Sequence, residues 1–204
     1  MIGIIDYGMG NLASVKNACD YLGFDSVITS DVETLQSCDR LILPGVGAFR
    51  DSMENIHAKG LYETIVSLVK EEKKPLLGIC LGMQVLFEAG YEDGYTEGFG
   101  FLKGSIQKME GNGLRIPQIG WNQLEKNKET PILGQFERLP FVYYVHSYMA
   151  CDYEDSDLLA YSNYGDLKVP GLVCHGNVLG AQFHPEKSGE DGLRILRYFV
   201  EDFV

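Results

Sequence analysis

An α/β fold with a parallel sheet core is the architecture this sequence predicts, on two observations. In the first half, short apolar runs alternate with segments of helical apolar period, the pattern of βαβ units. The second half is strand-rich, with turn residues between the runs, and it closes on one more helical segment. A glycine content of 24 in 204 residues, about 12% against roughly 7% on average, adds many tight turns to that picture.

The elements follow in order. Met1 to Asp6 is apolar enough for a buried strand and runs into a glycine-rich turn, Tyr7-Gly-Met-Gly-Asn11. Leu12, Val15, Ala18, Cys19 and Leu22 recur at helical spacing, and Gly23 is a helix stop. Ser26 to Thr29 reads as a second strand. Arg40 to Leu43 reads as a third, ended by Pro44-Gly-Val-Gly47. Leu61 to Val69 is helical and runs on through Glu71-Glu-Lys-Lys74 to Pro75. Leu76 to Ile79 is a strand and Leu81 to Ala89 a helix. Strands are then expected in Gly98–Gln107, Arg115–Leu124, Phe141–Ser147, Leu158–Tyr161 and Leu172–Phe183, the last with a Gly176-Asn177 hairpin turn. Ser188-Gly-Glu-Asp191 resembles a capping box before a helix from Leu193 to Phe203.

Composition excludes several function classes. The length suits one domain over residues 1–204. Seventeen basic residues against 29 acidic ones give a net charge of −12. That balance argues against nucleic-acid binding and against docking on anionic membranes. No run of 18 apolar residues occurs, and Met1-Ile-Gly-Ile-Ile-Asp6 lacks the basic start of a signal peptide, so a cytoplasmic location is expected. Five cysteines (Cys19, Cys38, Cys80, Cys151, Cys174) are odd in number and show no CxxC pair. Neither a disulfide framework nor a metal site follows, and no cofactor is expected.

Gly78-Ile-Cys-Leu-Gly82 carries the sharpest chemical signal. A strand enters it and a helix leaves it, the cysteine version of a nucleophile elbow. Such a turn pushes the side chain out past the sheet edge, and the helix N-terminus behind it favours thiolate. The N–H of Leu81 would be free to hold an oxyanion. Alone, the pentapeptide fits a buried cysteine in a glycine-rich turn equally well. A thiolate needs a base, and of His57, His146, His175 and His184 the last stands out. Phe183-His-Pro-Glu186 follows an apolar strand, and Glu186 can orient the imidazole. His57 reads as exposed on a helix, His175 as a strand residue beside a turn, and His146 as a strand-end residue able to touch substrate. Pro44-Gly-Val-Gly47 ends a strand on the edge where ligands of such sheets collect, although alone it reads as a plain turn.

Taken together, Pro44-Gly-Val-Gly47, Gly78-Ile-Cys-Leu-Gly-Met-Gln84 and His184-Pro-Glu186 have the order and spacing of the class I (triad) glutamine amidotransferases, which the chain resembles over essentially its whole length. Within that family it looks most like the separate glutaminase subunits of imidazole glycerol phosphate synthases. The cues are Ile5-Asp-Tyr-Gly-Met-Gly-Asn-Leu12, the Pro-Gly-Val-Gly form of the oxyanion segment, Gly120-Trp-Asn122 and Tyr143-Tyr-Val-His-Ser-Tyr148. The resemblance implies a three-layer α/β/α, flavodoxin-like fold with a mixed, largely parallel central sheet. It implies Cys80 as nucleophile, His184 as acid/base and Glu186 as orienter. Leu81 with Val46 and Gly47 would form the oxyanion hole. Gly47, Gln84, Glu92, His146, Ser147 and Tyr148 would contact substrate glutamine. Asn11, Trp121, Asn122 and Lys187 would face the partner, a (βα)8-barrel cyclase subunit, with Tyr143 near the gate between them. Three other readings stay open: a triad glutaminase of another pathway, a general cysteine hydrolase, and a catalytically silent regulatory subunit. The run Glu71–Lys74 reads as a solvated helix end and Asp152–Asp157 as an exposed loop. Cys19, Cys38, Cys151 and Cys174 read as small buried residues.

Overall fold

The computed structural model describes residues 1–111 and 113–203. The first half alternates strands and helices: β1 (Ile2–Ile5), α1 (Leu12–Tyr21), β2 (Ser26–Thr29), α2 (Val32–Ser37), β3 (Arg40–Gly45), α3 (Phe49–Ala58), α4 (Tyr62–Lys70), β4 (Leu76–Cys80) and α5 (Leu81–Gln84). The second half adds β5 (Phe87–Gly90), β6 (Thr96–Glu97), β7 (Leu102–Lys108), β8 (Gln118–Gln123), β9 (Glu125–Lys126), α6 (Pro131–Gly134), β10 (Phe141–His146) and β11 (Tyr148–Cys151). It ends with β12 (Leu158–Tyr164), β13 (Leu167–His175), β14 (Val178–Ala181) and α7 (Gly189–Glu201).

The central sheet runs β2-β1-β3-β4-β14-β13-β12-β9. Its first five strands are parallel neighbours and the last three pair antiparallel. A mixed, largely parallel sheet is thus confirmed. Strand alternation divides the core in two. Ile2, Ile4, Leu77 and Ile79 pack with Val15 of α1 and with Ile195 and Phe199 of α7. Leu41, Leu43 and Leu76 pack on the other face, with Met53 of α3 and Ile65 of α4. Burial on both faces is why these strands read as unbroken apolar runs. Two small sheets flank the main one: the β8–β10 ribbon and the set β11-β7-β5-β6.

Local signals mostly hold. Gly23 follows the C-cap of α1 at φ +80°, and Asn177 sits in the β13–β14 hairpin. Helix α2 is not anticipated by the sequence reading, and α3 is anticipated only by the helical stretch around His57. The first is a short helix capped by Asp31, whose carboxylate accepts from Thr34 N–H at 2.8 Å. Four expectations need correction. The helix expected over Leu81–Ala89 stops at Gln84, and the chain re-enters a sheet as β5. There Phe87 and Ala89 are buried and Glu88 is exposed, a period of two that outweighs the helical reading. Ser188 caps α7 by position only, because its hydroxyl is spent elsewhere. Asp157 is buried rather than exposed, held by His175 Nδ1 at 3.0 Å. Cys151 and Cys174 are only partly buried, whereas Cys19 and Cys38 are buried.

Candidate active site

Cys80 is the last residue of β4, and Leu81 begins α5 without an intervening loop. That abrupt change holds Cys80 at φ +55° and ψ −112°, a sparsely populated conformation that costs about 1–3 kcal/mol. Its neighbours make the turn possible. A Cβ on Gly82 would overlap the Leu43 carbonyl oxygen, and one on Gly45 would collide with Gly82 N. The glycines therefore let α5 lie against the end of β3. Because α5 is a single turn, it supplies little of the helix dipole that the sequence suggested for the thiolate.

Electrostatic support comes from side chains instead. His184 follows β14, the strand beside β4, and its Nδ1 donates to Glu186 Oε1 at 2.8 Å. Both side chains are almost wholly removed from water. Burial opposes a charge on His184, but the facing Cys80 sulfur and the Glu186 carboxylate outweigh it and raise its pKa to about 9. His184 Nε2 and Glu186 Oε2 are buried without a hydrogen-bond partner among the described residues. The free Nε2 is the position from which an imidazole exchanges a proton with a nucleophile or leaving group.

These groups open onto a cavity of about 370 Å³. Val46, Gly47, Cys80, Leu81, Gln84, Glu92, His146, Ser147, Tyr148 and His184 all line it. Every residue the sequence assigned to the oxyanion hole or to substrate thus meets Cys80 in one place. Glu92 shares its carboxylate with the fold, since its Oε2 accepts from Phe49 N–H at the start of α3 at 2.9 Å. His146 is buried, and burial lowers its pKa to about 4. Its Nδ1 lies 2.8 Å from the Tyr148 carbonyl oxygen and its Nε2 lies 2.9 Å from Gln118 Oε1. Held at both nitrogens, the ring positions the 146–148 backbone along the cavity wall.

The residues expected at a partner surface divide. Trp121 and Tyr143 are opposite each other on the β8–β10 ribbon, with ring centroids 6.0 Å apart in an edge-to-face pair. Trp121 is exposed, as are Ile119, Phe141 and Val145 on the same ribbon face. Lys187 is exposed in the turn after His184, and Asn11 is half-buried at the start of α1. Asn122, by strand alternation, points to the opposite ribbon face from Trp121. It accepts from Gln118 Nε2 at 3.1 Å and donates to the Asn163 carbonyl oxygen at 3.3 Å. The sequence reading missed Gln182, which is fully buried beside Cys80. The available signal was one uncharged polar residue inside the apolar run Val178–Phe183.

Comparison with known proteins identifies the family. A family model described as "Glutamine amidotransferase class-I" matches residues 3–203. "Imidazole glycerol phosphate synthase subunit HisH" of Oceanobacillus iheyensis is 44% identical over 201 residues, covering 98% of both chains. The protein of the same name from Caldanaerobacter subterraneus subsp. tengcongensis is 47% identical with the same coverage. Among solved structures, one titled "Crystal structure of glutamine amidotransferase" superposes with a TM-score of 0.77 over 98% of this chain and 97% of its own. At 23% identity it speaks for the fold alone. With the family model spanning nearly the full length and relatives this similar, the chain belongs to the class-I glutamine amidotransferase family.

Proposed function

We propose that this chain is the glutaminase subunit of an imidazole glycerol phosphate synthase. It would hydrolyse the side-chain amide of glutamine and hand ammonia to a (βα)8-barrel cyclase subunit. That partner makes imidazole glycerol phosphate and aminoimidazole carboxamide ribotide in histidine biosynthesis. One observation carries the chemistry: the strained Cys80 shares a cavity with a His184 held to Glu186. Full-length similarity to proteins named as HisH subunits supports the choice of pathway.

The steps follow from the residues. With His184 protonated, Cys80 attacks as thiolate at the amide carbon of glutamine. The carbonyl electrons move to oxygen, and the oxyanion is held by Leu81 N–H and an N–H of the Val46-Gly47 segment. His184 gives its proton to the departing nitrogen, ammonia leaves, and a thioester remains. His184 then takes a proton from water. The resulting hydroxide adds to the thioester, and collapse releases glutamate and restores the Cys80 thiolate. Glu186 keeps the imidazole oriented and offsets its charge throughout. Ammonia freed into water would be protonated and lost as a nucleophile, so delivery to the docked partner is part of the function. The exposed apolar face bearing Trp121 and Phe141 supports docking on that side.

Glutamate release tests the reading, measured for this protein alone and with a cyclase barrel subunit plus its nucleotide ligand, beside Cys80→Ala. Strong activation by the loaded partner, abolished in Cys80→Ala, is expected. A reactive thiol without activation would move the chain to another pathway, and no reaction at all would favour a regulatory subunit.

A further inference from the structure

We infer that Gln182 is a positioning residue of the site: it donates a hydrogen bond to the Cys80 sulfur and, through the other end of its amide, fixes which way Gln84 faces the cavity. The inference rests on the glutaminase reading for its substrate, but its geometry is independent. Gln182 follows directly on β14, whose Ala181 is in register with Ile79 of β4, so its side chain arrives beside Cys80. It is fully buried and carries no charge. Its Nε2 lies 3.9 Å from Cys80 Sγ, within reach of an N–H···S bond, and its Oε1 accepts from Gln84 Nε2 at 3.0 Å.

The polarity of this chain is forced from one end. A thiolate only accepts, so the Gln182 amide must turn its NH2 to the sulfur and its carbonyl oxygen to Gln84. Gln84 must then offer its own NH2 to Gln182. The second hydrogen of that group goes to the Tyr148 carbonyl oxygen, also at 3.0 Å. Both Gln84 donors are thereby used within the protein. What remains is Gln84 Oε1, which has no hydrogen-bond partner among the described residues and is not sealed from solvent. Gln84 lines the cavity, so it shows the bound ligand an acceptor and not a donor. An acceptor suits the NH2 of a carboxamide and repels a carboxylate. The sulfur and the substrate amide are thus read by one chain of two glutamines. It favours glutamine over glutamate, the product that must leave.

Gln182→Met removes both hydrogen bonds at similar volume. Two readouts that loss of stability would not shift in this pattern decide the matter. One is the pH midpoint of Cys80 alkylation by iodoacetamide in the isolated chain. The other is the split between KM and kcat for glutamine in the complex with the cyclase subunit. The midpoint should move up by about one pH unit, since the thiolate loses a donor. KM should rise about tenfold, the worth of one hydrogen bond in the correct amide orientation. An unchanged alkylation midpoint or an unchanged KM in a folded Gln182→Met protein would overturn the inference. Should Gln182→Met fail to fold, Gln182→Asn, which keeps the amide but cannot reach both partners, is judged by the same two numbers. Absence of glutamate release from the unmodified complex would sink the glutaminase reading. Alkylation needs no glutamine and would still judge Gln182.

Discussion

His184 Nδ1 donates to Glu186 Oε1 at 2.8 Å across a single intervening proline, and neither side chain keeps meaningful contact with water. A carboxylate so placed has two effects. It fixes the ring so that Nε2 is the free nitrogen, and it offsets an imidazolium that burial alone would forbid. Glu186→Gln keeps the shape and removes the charge. Glutamate release with the loaded partner is expected to fall by about two orders of magnitude or more. Turnover equal to the unmodified protein would remove Glu186 from the mechanism.

The raised pKa of His184 sets a pH profile. Burial opposes the proton, while the Cys80 sulfur and Glu186 hold it, up to about pH 9. Activity should therefore persist through neutral pH and decline as pH rises through about 9, when His184 loses the proton it must give to ammonia. Stability follows the same sign. The folded pKa lies above the ordinary value of 6.5, so the contribution is fully present below that pH and is lost as pH rises through about 9. Tm against pH for wild type and His184→Ala, with kcat against pH for the complex, checks both. An alkaline limb centred near neutrality would contradict the assignment.

Gly82 is where the elbow depends on the absence of a side chain. A Cβ there would run into the Leu43 carbonyl of β3, backbone against backbone. Gly82→Ala is expected to cost about 3–5 kcal/mol or to prevent folding, read by urea denaturation. A variant within about 0.5 kcal/mol of wild type would show that α5 does not pack on β3 as described.

Ser188 ties the ribbon to the catalytic turn. Its hydroxyl accepts from Tyr143 N–H at 2.9 Å and donates to the His184 carbonyl oxygen at 2.6 Å. Tyr143 O in turn accepts from His184 N–H at 3.0 Å. Ser188→Ala leaves a buried N–H unmet, for an expected loss of about 1–3 kcal/mol. Denaturant midpoints would reveal it, and an unchanged midpoint would mean that water replaces the hydroxyl.

Trp121 is half exposed and leans edge-on against Tyr143. Trp121→Ala should leave the isolated chain within about 0.5 kcal/mol of wild-type stability. Affinity for the cyclase subunit should drop by about 2 kcal/mol, roughly thirtyfold in Kd. Calorimetric titration with unchanged affinity would place the docking surface elsewhere.

The sequence by itself determined the parallel half of the sheet, because strands covered on both faces leave continuous apolar runs that need no partner to be recognised. It also determined the elbow at Cys80 and the His184-Pro-Glu186 turn, since each is a local motif whose chemistry lies within a few residues. The extent of α5 was not legible. Leu81 to Ala89 fits a helix by composition, and only the pairing of Phe87 and Ala89 with β7 made part of it a strand. Gln182 was invisible as a functional residue, because its two partners, Cys80 and Gln84, stand about a hundred positions away and meet it only where β14 lies beside β4. Asn122 and Trp121 are adjacent in sequence, yet one turns toward Gln118 and Asn163 and the other to solvent. Which face of a ribbon is buried depends on what packs beneath it, and that is a property of the assembled structure alone.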